Sequence, residues 1–528
     1  MVLCEILPEA YSGCELTTRV ICSGSIHHSP GGSDVKANHV RFNSPQFRVL
    51  SSRQLDDLHF ASIQVLENTG VTIDCEEALK LLADAGADVS DPKRVKIPSS
   101  VVEQALRVVP KNITLYTRDG NPCVFLNGTR TYFGAVSDCP YILDPHGGER
   151  RPQDAEDCAS LARLIDDMPN LSWLMSSGTV HGLPPELSER VALLQCLRNT
   201  QKPVAASTLN APGLRAMLEL CAIIAGSMED LKARPFFVNS VEPITPLVHG
   251  KDALEMSLVC AEFGIPNVVF SMLMAGATSP ATFAGTLAVA NAELLSHVVV
   301  VQLKRPGAPL ICGAEPNIMD MRTMTFPHGA PELPFLCACF TEMVHRYGLP
   351  VFGTAGAIDA KVVGAEAGAQ VMYQCLMSAF SGADFVHDVG LMDHAQMISP
   401  ELIVLTDEII GMVSVSMEGI GTNDEALALD LIHKVGPGGN YLEEDHTFEH
   451  FREFWVPTIM DRTQLSTDTS SQPVIHCEEL LNQRTKQIMK SAPGHPLPED
   501  IEREVRKLET SWFSEFGVKY EYPTAERR

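Results

Sequence analysis

The sequence is short of positive charge and lacks the signatures of the commoner kinds of site. Lys and Arg number 40 against 66 Asp and Glu, a formal net charge of −26 over 528 residues. A chain this acidic repels phosphate backbones and anionic lipid, so no nucleic-acid and no membrane partner is expected. The acidity itself reads either as solubility or as a docking surface for a basic patch on a partner. No GxGxxG follows a strand-like run and no GxxxxGKS/T is present, which leaves a dinucleotide or nucleotide site without support. No HExxH, CxxC or paired Cys/His spacing occurs, so no metal is expected to bind this chain. Gly436-Pro437-Gly438-Gly439 follows a helical pattern and reads as a cap and turn.

No long run is apolar throughout. The longest stretch, Ala284 to Leu303, carries Glu293 and His297 and reads as a buried helix rather than a membrane span. At the N-terminus Glu5 and Glu9 interrupt any apolar core, and no secretory leader is expected. The 15 cysteines are scattered and odd in number, which fits a cytoplasmic chain with reduced thiols. Cys337 and Cys339, inside the apolar segment LPFLCACF, read as buried helix cysteines rather than ligands.

What is present is an ordinary globular composition, 45% hydrophobic and 20% charged, organised in four stretches. Residues 1–50, rich in Ser, Gly and Pro, read as a poorly ordered extension. Residues 51–150 read as a cap layer. A helix ends near Gly70, and a second is capped by Asp74 with Glu77 in capping-box position and stopped by Gly86. A third follows Pro98, and strand-like runs cover 112–117, 122–126 and 131–136. From 151 to about 420 short β-rich runs alternate with longer helical patterns. Strands are expected at 172–177, 203–207, 235–241, 267–273, 309–313, 350–354 and 383–388. Runs such as NVVFSMLM and RPFFVNSV are apolar on both alternating positions, as strands covered on both faces are. Seven or eight such units predict an α/β fold, a TIM (β/α)8 barrel with an N-terminal helical/β cap layer and additional C-terminal helices over 421–528.

In such a barrel, chemistry belongs at the C-terminal ends of the strands. The polar residues there are Ser177, Ser207, Asn239, Ser240, Glu242, Ser271, Glu315, His387 and Asp388. His328 lies in the PHGAPE loop just before a helix, and Glu332 falls in that helix's first turn, where the dipole favours a carboxylate.

Several segments resemble the trimethylamine methyltransferase family. HFASIQVLENTGVTIDCEEALKLLADAGADV is similar to its opening helical layer. SMLMAGATSPATFAGTLAVANAELLSHVVVVQL resembles a strand, loop and long helix of its barrel. GAPEL, DAKVVGAEAG and KVGPGGNYLEEDHTFEHFREFWVPTIMDR follow in the expected order, so the resemblance covers about residues 50–515. It implies transfer of a methyl group from a methylated amine to the cobalt of a corrinoid (cobalamin) carried by a partner protein. A corrinoid-binding DxHxxG is only approached here, at Asp144-Pro145-His146-Gly147-Gly148 with Glu149 in the place of the last glycine. The cognate corrinoid protein is therefore expected as a separate chain, and the resemblance implies a homo-oligomer.

Founding members of the family carry pyrrolysine just before the DAK-like segment, at the position corresponding to Ala357 or an immediate neighbour in GTAGAIDAK. Alanine forms no adduct with a tertiary amine. The chain resembles the non-pyrrolysine branch, which acts on quaternary amines such as glycine betaine. A quaternary nitrogen already bears its charge and leaves as a neutral amine, so positioning and exclusion of water suffice. Aromatic faces and a balancing carboxylate suit such a cation. The substrate-binding candidates are Tyr132, Phe133, Phe326, Phe352 and Phe385 with Glu242, and Arg322, His328 or His387 for a substrate carboxylate, besides Ala357 itself. Glu315 and His387 are the candidate catalytic residues. The alternatives are the same fold demethylating a sulfonium or methoxylated compound, or a non-catalytic scaffold for the corrinoid protein.

Overall fold

Eight runs of buried, β-rich residues pair side by side and close on themselves. The computed structural model describes residues 35–36, 45–463 and 476–524, all within the unit Gly31–Arg528; the chain's other unit, Met1–Pro30, lies outside them. The eight strands are β1 (Arg130–Ala135), β2 (Leu171–Met175), β3 (Val204–Ser207), β4 (Phe237–Val241), β5 (Asn267–Ala275), β6 (Leu310–Ile318), β7 (Val351–Thr354) and β8 (Phe385–Val389). Each pairs in parallel with the next, and β1 pairs with both β2 and β8, closing the ring. Each is followed by a helix: α1 (Ala155–Asp167), α2 (Pro185–Asn199), α3 (Ala211–Ala225), α4 (Lys251–Phe263), α5 (Phe283–Lys304), α6 (Glu332–Arg346), α7 (Ala365–Ser381) and α8 (Pro400–Met417). This is the expected (β/α)8 barrel.

One strand lies where the sequence reading did not put it. The run 131–136, read as part of the cap, is β1. The helix answering it begins only at Ala155, after a detour through two short strands, Tyr141–Leu143 and Arg150–Pro152. The alternation of strand and helix is broken just where the barrel starts. The expectation for residues 1–50 lies outside the described residues, except for Val35–Lys36, antiparallel to β1, and for 45–50.

Side-chain alternation along each strand sorts the core into two shells. Tyr132, Trp173, Met175, Ala205, Val238, Val268, Phe270, Ile311, Phe352 and Phe385 fill the barrel interior. The antiparallel hairpin Ile113–Tyr116/Pro122–Leu126 closes the end beneath them, adding Leu115, Val124 and Leu126 to the same apolar cluster. Their neighbours in sequence, such as Phe133, Leu174, Phe237 and Val269, face the helices. Trp173 lies so close over β1 that a Cβ on Gly134 would stand 2.2 Å from its ring, which requires glycine there.

The helix α5 is long and apolar enough to cross a membrane by length and composition, but strands cover one side and the cap helices Ser52–Gln64 and Ser99–Val108 the other. Covered on both sides, it has no polar face to show, hence its nearly continuous apolar sequence. The expected Asp74 cap is not formed: the helix Glu76–Asp84 begins after Cys75, and Glu77 pairs with Lys304 of α5. Beyond the barrel, the helix Glu499–Glu515 packs on α2 and α3 through buried Val505, Trp512 and Phe513, with Arg198 of α2 paired to Glu502 and buried Glu509. By contrast Ile420, Leu429, Leu442, Phe448, Phe454 and Val456 stand exposed on short helices and turns.

Candidate active site

The upper barrel is polar because the inward alternation of β4, β6, β7 and β8 ends on polar residues. On β6 the inward series is Ile311, Gly313, Glu315; on β7 Phe352, Thr354; on β8 Phe385, His387; on β4 Val238, Ser240, with Glu242 just beyond the strand. Register places Thr354 opposite His387 and Met272 of β5 opposite Glu315. Phe270 and Phe352 pack under this layer, their ring centroids 5.4 Å and 4.3 Å from that of His387.

His387 sits between two carboxylates. Its Nε2 is 2.6 Å from Glu315 Oε1 and its Nδ1 2.9 Å from Asp388 Oδ1. Thr354 Oγ1 donates to Asp388 Oδ2 at 2.8 Å. All four side chains are buried. Regular pleating would turn Asp388 away from its neighbour His387. Instead the ladder to β1 shifts register after Val386, and Asp388 adopts φ +81°, which brings both side chains to the same pole. A non-glycine residue held there costs about 1–3 kcal/mol and persists only where the surroundings impose it.

Electrostatics follow from this packing. Burial alone would lower the pKa of His387, but Asp388 and Glu315 overcome it and raise it to about 10, so the ring is an imidazolium at neutral pH. Burial raises Asp388, and His387 with the Thr354 hydroxyl outweighs it, a net lowering. Glu242 is pushed up to about 8, first by its surroundings and then by repulsion from Asp138 and Glu315. Glu242 is exposed to solvent just beyond the end of β4, so it lies at the open end of the barrel rather than in the core. Met272 and Met274 are likewise partly exposed there, and Asp138 lies on the loop after β1. Four carboxyl groups thus face one imidazolium, a mouth suited to a cation.

The expected site residues divide. Glu242, Glu315 and His387 come together at the mouth, as does Asp388. Phe352 contributes only as the buried support under His387. Tyr132 and Phe385 are fully buried one layer lower, and Phe385 is packed against Trp173 with ring centroids 3.7 Å apart; they line no opening. Phe133 faces the helices, because its neighbour Tyr132 takes the inward position. Asn239 and Ser271 also face outward. Asn239 bonds to Asn267 and Thr208, and Ser271 lies against Glu293 of α5. Arg322 is on an exposed turn, paired at 3.7 Å with Asp320 of the same turn. Ala357 is fully buried, bridged to Leu391 with its carbonyl held by Gln374. Phe326 and His328 lie together on the loop after β6, ring centroids 4.8 Å apart. The aromatic box expected for a quaternary ammonium is therefore not assembled from these residues. Thr354, Phe270 and Met272 were missed, and only their parity with Glu315 and His387 along the strands signals them; Asp138, on the loop after β1, was missed as well.

The chain matches the family model described as Trimethylamine methyltransferase (MTTB) over residues 25–510. It is 30% identical over 487 residues to the trimethylamine methyltransferase MttB of Desulfitobacterium hafniense (strain DSM 10664 / DCB-2), covering 92% of this chain and 98% of that protein. It is also 30% identical over 470 residues to the glycine betaine methyltransferase of Desulfitobacterium hafniense (strain Y51), covering 88% and 96%. Among solved structures, the monomethylamine methyltransferase of Methanosarcina barkeri aligns with a TM-score of 0.47 at 14% identity, covering 84% of this chain and 88% of that one.

Proposed function

The chain belongs to the trimethylamine methyltransferase family, and on that premise we propose that it moves a methyl group from a quaternary amine, of the glycine betaine kind, to the cobalt of a separate corrinoid protein. The observation that carries the substrate class is the excess of carboxyl groups at the mouth: Glu242, Glu315, Asp388 and Asp138 against the single His387 imidazolium. A permanent cation offsets that excess. The buried Ala357 supplies no group for an adduct with a tertiary amine, and a quaternary nitrogen needs none.

Reduced corrinoid cobalt would supply the nucleophile that accepts the methyl group. The residues here fit a visiting acceptor rather than a resident one. Asp144 of the DxHxxG-like turn is engaged by Arg151 at 2.7 Å, whereas the Glu242, Met272 and Met274 rim is open to solvent. Within this chain the division of labour is positional. Glu242 and Asp138 attract and orient the ammonium. His387, fixed at both ring nitrogens, moderates the negative potential of Glu315 and Asp388. Phe270 and Phe352 keep the floor of the site dry, so that water does not compete with the acceptor. His328, beside the mouth, is the candidate for a substrate carboxylate. The free cysteines, all buried except Cys477 among the described residues, support a reducing, cytoplasmic setting, and the exposed apolar side chains between Ile420 and Val456 support self-association.

The test is the purified chain with chemically reduced cobalamin and a panel of quaternary amines, tertiary amines and sulfonium compounds. Methylcobalamin forming with a quaternary amine is the expected result. Formation only with a sulfonium or a tertiary amine, or with no member of the panel, refutes the substrate assignment.

A further inference from the structure

Above the Glu315–His387–Asp388 cluster, the loops after β6, β7 and β8 bring three more ligand-type side chains together. His328, Asp359 and His394 hold a nitrogen, an oxygen and a nitrogen within 4.8 Å of one another. We propose that these three residues bind a divalent transition-metal ion of the zinc class at the rim of the barrel mouth.

Three features distinguish this cluster from a chance meeting of polar loops. First, His328 is only 4% exposed, yet its Nδ1 has no hydrogen-bond partner among the described residues. A buried imidazole nitrogen left unpaired is costly, and a metal ion satisfies it. Secondly, His394 Nδ1 lies 2.8 Å from Asp359 Oδ1, which brings a carboxylate to balance the charge of an ion. Two imidazoles and one carboxylate form a donor set suited to zinc and its neighbours rather than to magnesium or calcium. Three protein ligands leave a position for water or a substrate oxygen.

Thirdly, the three loops are held in place by one another. The buried Gln374 side chain of α7 donates to the carbonyl oxygens of His328 at 2.8 Å and Ala357 at 2.7 Å, and accepts from the Gly356 amide at 2.6 Å. One glutamine thereby ties the loop of His328 to the loop of Asp359. Gln370 accepts from the Asp359 amide at 3.0 Å. The third loop joins through Asp393 N to Ala360 O and His394 N to Ile358 O, both 3.2 Å. Asp393, His394 and Ala395 are successive residues with φ of 52°, 57° and 58°, a left-handed turn that non-glycine residues rarely adopt. This tight turn holds His394 against the Asp359 loop, and such preorganisation lowers the cost of assembling ligands around an ion.

The experiment uses the full chain with any affinity tag removed, stripped with chelator and titrated with zinc alone by calorimetry. One equivalent is expected per chain, with binding weakened at least about tenfold in Asp359→Asn and in His394→Gln. The exposed His433→Gln variant serves as control. Cobalt(II) loading should give the visible bands of a low-symmetry, nitrogen-containing site, and both variants should lose them. A second measurement needs no variant: zinc should protect the partly exposed His394 from histidine-directed acylation in the wild-type chain, read by peptide mass. Absence of a stoichiometric site in the wild-type chain overturns the proposal. So does equal zinc affinity in variants with native melting temperatures, or zinc uptake that leaves His394 reactive. None of these readouts involves methyl transfer, so a failed substrate assignment leaves this result intact.

Discussion

If the mouth holds a quaternary ammonium through Glu242, its affinity must rise with pH in a way set by that carboxyl group. Glu242 stands at about 8 in the free protein, so only about a tenth of it is ionised at pH 7 and about a hundredth at pH 6. A cation that binds the ionised form sees its apparent dissociation constant divided by that fraction. Affinity should therefore improve up to about tenfold per unit between pH 6 and 8 and level off near pH 9. Water reaches Glu242 and screens it, so the slope observed should fall between about threefold and tenfold. Binding should also expel close to one proton per cation at pH 7. Calorimetry with glycine betaine at pH 6.5, 7.5 and 8.5, in two buffers of different ionisation enthalpy, measures both quantities. Glu242→Gln should flatten the profile and abolish the proton release. A pH-independent affinity in the wild-type chain, or a slope that survives in Glu242→Gln, would refute the assignment of Glu242 as the cation's partner.

The folded state itself should respond to pH through His387. Its pKa is about 10 when folded against about 6.5 unfolded, so its stabilisation is complete below about pH 6.5 and is lost as pH rises through 10. Glu242, raised to about 8, likewise lowers stability between about pH 4.5 and 8. In urea titrations the wild-type chain should weaken steadily from pH 6.5 to 10, whereas His387→Gln should show only the part that ends near pH 8. The same variant leaves Glu315 and Asp388 facing each other and should lose about 3–5 kcal/mol at pH 6.5; a loss under about 1 kcal/mol would contradict the charge pairing. Gly134→Ala places a methyl inside the Trp173 ring and should lower the melting temperature sharply, while Gly148→Ala, in open space at positive φ, should show only the modest cost of its backbone. Similar melting temperatures for the two would refute the close approach at Gly134.

The parts of this molecule legible from sequence are those governed by alternation. β2 to β8 are buried on both faces and stood out as apolar runs, and His387 and Glu315 showed because each is polar at the end of such a run. The misassigned residues are those for which parity, not composition, decides. Tyr132 and Phe133 are adjacent and equally aromatic, and only the register of β1 with β8 sends one into the barrel and the other to the helices. Arg322 lay in the right loop, but the turn held by Asp320 carries it outward. Asp388 reaches the site only through a backbone irregularity that no periodicity encodes. His328, Asp359 and His394 come from three different loops, so no spacing rule for metal ligands brings them together.

The reaction proposed here removes the very charge that the mouth is built to attract, and this sets a limit on how the carboxyl groups contribute. An ammonium held tightly in the ground state loses that stabilisation as its nitrogen becomes neutral, so a stronger clamp lowers KM without helping, and even opposing, the methyl transfer. A carboxyl group poised near neutrality, as Glu242 is, binds the cation weakly enough to avoid that penalty, whereas a fully ionised one would not. The consequence is a split in the kinetics. Glu242→Gln should raise KM for the quaternary amine about tenfold while kcat stays the same or increases. Asp138→Asn, changing the other exposed carboxyl group of the rim, should have the same pattern at smaller amplitude. His387→Gln disturbs the support of the site rather than the clamp, so it should lower kcat and kcat/KM together. Steady-state rates at pH 8 with a fixed concentration of reduced cobalamin separate these cases. A kcat for Glu242→Gln that falls in proportion to kcat/KM would mean that this carboxyl group acts in the transition state, and the account of the mouth as a restrained cation trap would have to be abandoned.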